Sequence, residues 1–181
     1  MAEPQNPPYE AKQVANWFLV KARSSGASLS PMQLQKLIFF AVGEAKANGI
    51  DLINQKFHAW QYGPVEPSVY HEFKDFGGGA ITTFASRWDD SASKFVHFEE
   101  PVDSISVPIL ENIWKVFGEK DGPMLSRITH LAGTPWAKCV EKAGGEEKLK
   151  FKTVPIDGDD LREYFNGDQW SKIKSLMMKQ H

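Results

Sequence analysis

The 181-residue sequence predicts a mainly α-helical α+β fold: one compact domain of about six or seven helices with a small antiparallel β element. Three observations carry this reading. Apolar residues recur at helical spacing through most of the chain, as in Ala11, Val14, Ala15, Phe18 and Ala22, or Ile113, Trp114 and Phe117. Helix-start chemistry stands in front of several of these runs, with Ser30 before Pro31 and Thr134 before Pro135. Only a few short stretches have strand character, and with 41% hydrophobic residues the chain can bury one sizeable core.

Taken in order, residues 1–9 read as a loose, flexible arm in which Pro4, Pro7 and Pro8 oppose regular hydrogen bonding. Glu10 to Arg23 forms the first helix, stopped by Ser24, Ser25 and Gly26. Leu29 to Asn48 gives the clearest helix. Ser30 and Gln33 make a capping box, and Leu29 and Leu34 have the spacing of a hydrophobic staple. Leu34, Leu37, Ile38, Ala41 and Ala45 form its buried stripe, and Gly43 allows a close approach. Lys36 falls off that stripe, which by itself predicts a solvated lysine.

Phe57 to Gln61 suits a short strand, Gly63-Pro64 a rigid corner, and Pro67 the first turn of a helix running to Phe76 and stopped by Gly77, Gly78 and Gly79. Ala80 to Phe84 and Lys94 to Phe98 are expected strands, flanking an irregular loop over 86–93 with an exposed Trp88. Helices follow over Ser106 to Lys120, from Pro123 through Ile128, and from Pro135. Residues 143–152 are expected as a surface loop, followed by a short capped helix from Asp157 to Phe165. A C-terminal helical extension over 167–181 uses Ile173 and Met177 as anchors.

Composition narrows the function classes. A net charge of −2 and no run of Lys or Arg make nucleic acid an unexpected partner, because phosphate neutralisation supplies most non-specific affinity. With one cysteine, Cys139, no intrachain disulfide forms. No segment reaches the roughly twenty apolar residues of a membrane helix, so a cytoplasmic protein with no membrane partner is expected. The five histidines lack metal-ligand spacing, and the three glycines at 77–79 lack the Lys-Ser/Thr of a phosphate loop. No cofactor, metal or catalytic residue is expected.

The corner itself, Trp60, Tyr62, Gly63, Pro64, Val65, Pro67 and Tyr70, resembles the W-x-Y-G-P-V-x-P-x-x-Y signature of the Panacea (SocA-like) antitoxin domain family, which includes phage-associated members. Leu29 to Phe40 resembles that family's L-x-x-x-x-L-Q-K-L helix, with Phe39 where an aromatic hydroxyl is common. Leu125, Ser126, Thr129, His130, Pro135 and Trp136 resemble its L-S-x-x-T-H-x-x-x-x-P-W signature, and Ile156 to Phe165 its closing element. The resemblance spans residues 10–166. It implies an antitoxin that neutralises a cognate toxin by direct protein binding, alone or as an adaptor handing the toxin to an ATP-dependent protease. It also makes Lys36, Trp60, Tyr62, Gly63, Pro64, Val65, Tyr70, Thr129, His130 and Trp136 the candidate partner-binding residues. Within it, the Lys36 ammonium would cap carbonyls near the corner or meet a partner's acid.

The bland reading of the corner is a structural turn around a buried tryptophan. Two other functions stand beside the antitoxin: a small hydrolase or processing enzyme using His130, with Cys139 or an acid, and a transcriptional autoregulator. Low basic content argues against the autoregulator. For His130 the structural alternative is a hydrogen bond to backbone between two helices, with Thr129 as a cap; for Cys139 it is an inert buried thiol.

Overall fold

The computed structural model describes residues 6–150 and 153–179. Eight α-helices occur among them: α1 (Ala11–Ser24), α2 (Pro31–Ala47), α3 (Pro67–Phe73), α4 (Ser106–Phe117), α5 (Gly122–Thr129), α6 (Pro135–Ala143), α7 (Gly158–Phe165) and α8 (Asp168–Met178). Five strands accompany them: β1 (His58–Trp60), β2 (Gly63–Val65), β3 (Ser86–Asp89), β4 (Lys94–His97) and β5 (Val154–Pro155). None of the described helices is long and apolar enough to cross a membrane.

The core is built around α2. Its start is the expected capping box: Ser30 Oγ accepts from Gln33 N, and the Gln33 side chain accepts from Ser30 N. It packs against α1, α3, α4, α5 and α7, so it is enclosed on nearly all sides. Burial therefore extends beyond the expected stripe to Gln35, Lys36, Phe39 and Phe40. Gly43 lies so close to α7 that a β-carbon there would stand 2.2 Å from the Phe165 ring. This is the close approach its position on the helix predicts.

The β structure differs from the sequence expectation in two ways. The corner is a tight hairpin: β1 and β2 pair antiparallel with His58 opposite Val65, Ala59 opposite Pro64 and Trp60 opposite Gly63, leaving Gln61 and Tyr62 as the turn. β5 adds on the other side of β1, giving the order β2-β1-β5, so Pro64 sits on an edge where its missing N–H breaks no ladder. Second, the expected strand over 80–84 is irregular. The partner of β4 is β3, inside the stretch expected as a loop, with Trp88 opposite Phe95 and both exposed. Over 143–152, residues Glu146–Lys150 form a 3-10 turn that buries Leu149; residues 151 and 152 of that expected loop lie outside the described residues.

Both ends of the described chain are tied down. Residues 1–5 of the expected arm lie outside the description, but Tyr9 is buried, and its hydroxyl donates to Asp103 Oδ2 at 2.5 Å. The same carboxylate accepts from the N–H groups of Ile105 and Ser106, and so starts α4. At the other end Trp170 of α8 is fully buried against Phe40, Phe117 and Phe165. The anchors expected on α8 are Ile173, buried, and Met177, packed on the core.

Candidate partner-binding site

The hairpin is held from below by two polar residues of α2. The Gln35 amide pairs in both directions with the Glu66 backbone, donating to its carbonyl at 3.0 Å and accepting from its N–H at 2.9 Å. Next to it the Lys36 ammonium donates to the Pro64 carbonyl at 2.9 Å. Lys36 is 2% exposed, so the solvated lysine expected from its position off the stripe is not observed; the capping of a corner carbonyl is. Burial pushes its pKa down to about 7, because an ammonium with one acceptor has lost its water. Glu66 is buried as well and starts α3, accepting from Ser68 N at 3.2 Å and Val69 N at 2.9 Å.

Behind the turn, α5 and α6 supply donors to two of its carbonyls. Trp136 Nε1 donates to the Trp60 carbonyl at 2.7 Å, and Ser126 Oγ to the Tyr62 carbonyl at 3.3 Å. His130 Nε2 lies 3.4 Å from the Gln61 carbonyl between them. The His130 ring sits on Trp136 with centroids 3.9 Å apart, and its Nδ1 is 2.7 Å from the Ser126 carbonyl. Only a protonated nitrogen can face a carbonyl at that distance, which assigns the proton to Nδ1. Thr129 Oγ1 donates to the Ser126 carbonyl at 2.7 Å, and its own carbonyl accepts from Thr134 Oγ1 at 2.7 Å. The two sequence signatures are thus one assembly, in which the second holds the backbone of the first.

Gly63 is where they meet. Its φ of +104° lies in the region that favours glycine, and a β-carbon there would stand 2.8 Å from Lys36 Nζ and 2.9 Å from Thr129 Oγ1.

The candidate residues therefore separate into two sets. Lys36, Trp60, Tyr62, Val65 and Tyr70 line a groove of about 730 Å³ between the hairpin, α2 and α3. Gly63, Pro64, Thr129, His130 and Trp136 are outside its lining and form the frame that fixes the turn. Tyr62 is 68% exposed at the tip, whereas Trp60 is half-buried and packs edge-on against Tyr70 at 4.9 Å. The sequence reading omitted Gln35, Glu66, Val69, Phe73, Lys74 and Lys150. Gln35 carried a signal: with Lys36 it is a polar pair inside a helix that is apolar from Leu37 to Val42.

The geometry around His130 and Cys139 matches the structural alternatives. His130 is occupied by backbone carbonyls and by Trp136. Cys139 is buried, and burial raises its thiol pKa, which favours the thiol over the nucleophilic thiolate.

Comparison with known proteins gives the class of this fold and its polar frame: the chain belongs to the family described as Antitoxin SocA-like, Panacea domain, whose model matches residues 34–137. That span covers both the α2 clamp and the α5–α6 frame. The chain is also 32% identical over 173 residues to Antitoxin SocA of Caulobacter vibrioides (strain NA1000 / CB15N), covering 85% of this chain and 92% of that protein. No solved structure matches it significantly.

Proposed function

We propose that this chain is the antitoxin of a toxin–antitoxin pair and neutralises its toxin by direct binding through the hairpin face. Family membership supports the antitoxin role, and the observation that supports the surface is the turn at Gln61 and Tyr62. Donors from α5 and α6 face its carbonyls at Trp60 and Tyr62, while the Tyr62 ring projects into solvent. A turn held this way presents its aromatic without first being ordered. Such ordering costs roughly 0.5–1.5 kcal/mol per immobilised side chain at an interface, and tyrosine gives a large contact with one polar handle. Delivery of the captured toxin to an ATP-dependent protease would be a second step on the same complex.

Expression of the neighbouring reading frame alone is expected to stop growth, and co-expression of this chain to restore it, with the two proteins eluting as one complex. Rescue that disappears in a host lacking its ATP-dependent proteases would assign the adaptor step. Absence of both rescue and complex would contradict the antitoxin reading.

A further inference from the structure

The groove beside the hairpin has an unusual lining. Among the described residues it contains three lysines, Lys36, Lys74 and Lys150, and no Asp or Glu, in a chain whose net charge is −2. Lys74 and Lys150 are exposed at the rim, and Lys36 is buried in its floor. The rest of the wall is largely apolar, formed by Trp60, Val69, Tyr70 and Phe73 among others.

Lys36 is the informative group. In its protonated form Lys36 has three hydrogens to donate, and the Pro64 carbonyl is the single acceptor it has among the described residues. The Trp60 indole N–H is also buried without a partner among the described residues. This is a costly arrangement, since a buried charged group is expensive unless it is paired and fully hydrogen-bonded. Lys36 gains a purpose if a negatively charged group arrives.

We propose that the groove receives an acidic segment of the partner protein, with an apolar or aromatic side chain against Trp60, Val69, Tyr70 and Phe73 and a carboxylate against the Lys36 ammonium. This rests on the antitoxin reading and names the chemistry of the toxin surface that it requires. Charge complementarity selects an acid, and the apolar wall selects a neighbouring hydrophobic anchor. The groove runs directly into the exposed Tyr62 turn, so a polypeptide can engage both at once. A nucleic acid would need a row of cations along its phosphates, and of the groove's lysines only Lys74 and Lys150 are exposed.

The test uses the full chain, a fluorescein-labelled peptide GDFELG and its uncharged analogue GNFQLG, read by anisotropy. The acidic peptide is expected to bind at least about tenfold tighter, the weaker end of what a hydrogen-bonded charge contributes. Lys36→Met should lower its affinity by about 10–100-fold and erase the preference. Equal binding of the two peptides, no saturable binding up to millimolar peptide, unchanged preference in Lys36→Met, or displacement by oligothymidylate at equal concentration would each overturn the proposal. In cells, wild-type rescue retained by both Lys36→Met and Lys74→Glu would overturn the groove and leave the antitoxin reading standing. Failure of wild-type rescue would overturn the antitoxin reading while the peptide comparison still judges the groove.

Discussion

Trp170→Ala is expected to lower stability by about 3–5 kcal/mol, the cost of emptying a fully buried tryptophan site, and so to lower the melting temperature by roughly 6–20 °C. The ring is completely enclosed. It stacks on Phe117 with centroids 5.3 Å apart and lies 4.6 Å from Phe165 and 5.1 Å from Phe40. Its indole N–H donates to Glu44 Oε1 at 2.6 Å, so truncation also removes one of the two donors that hold this carboxylate among the described residues; the other is Lys174. The loss should appear in a single thermal transition, because α8 packs on α4 and α7, and Phe40 belongs to the central helix. An unchanged melting temperature would mean that α8 is not part of the cooperative core.

Gly63→Ala should be the most damaging small change at the hairpin. The backbone at φ +104° is strained for any residue with a β-carbon, a cost of about 1–3 kcal/mol. The new methyl would also enter the space between Lys36 Nζ and Thr129 Oγ1, and overpacking of this kind costs about 1–3 kcal/mol more. Lys36 can withdraw its flexible end, but only by giving up the Pro64 carbonyl. The expected result is a loss of roughly 2–6 kcal/mol, measured by denaturant unfolding. Toxin binding by the folded fraction should weaken as well, since the turn bearing Tyr62 would shift. A variant as stable as the wild type would contradict the close meeting of Gly63, Lys36 and Thr129.

Much of the helical framework was legible because its signals are local. Ser30 with Gln33, Thr134 before Pro135 and Asp157 before α7 each satisfy backbone donors a few residues away, so sequence spacing suffices to find them. The hairpin was harder to see. Gln61-Tyr62 lacks the Asn-Gly or Asp-Gly chemistry that marks a two-residue turn, and Pro64 inside β2 argues against a strand unless it lies on an edge. β3 was hidden because Arg87 and Trp88 are both exposed, leaving no buried alternation to read.

The candidate site was legible as a set of residues but not as an arrangement. Trp136 reaching the Trp60 carbonyl across 76 positions, and Lys36 reaching Pro64 across 28, are tertiary contacts that no spacing rule encodes. The burial of Lys36 went against its helical face for the same reason. α2 is surrounded, so even the side opposite its apolar stripe is enclosed. Family resemblance named these positions together, and the structure supplies the physical reason: one set lines the groove and the other holds the turn.

The most direct measurement compares the wild type with Tyr62→Ala for melting temperature and for toxin affinity by calorimetry. Tyr62 is 68% exposed, and its ring lies at the tip of a turn fixed through backbone carbonyls. Its removal should therefore leave the melting temperature within about 2 °C, as for other surface substitutions, while weakening toxin binding by roughly 2 kcal/mol or more, about thirtyfold. A Tyr62→Ala variant that binds toxin as tightly as the wild type, whatever its stability, would contradict the hairpin tip as the partner-binding surface.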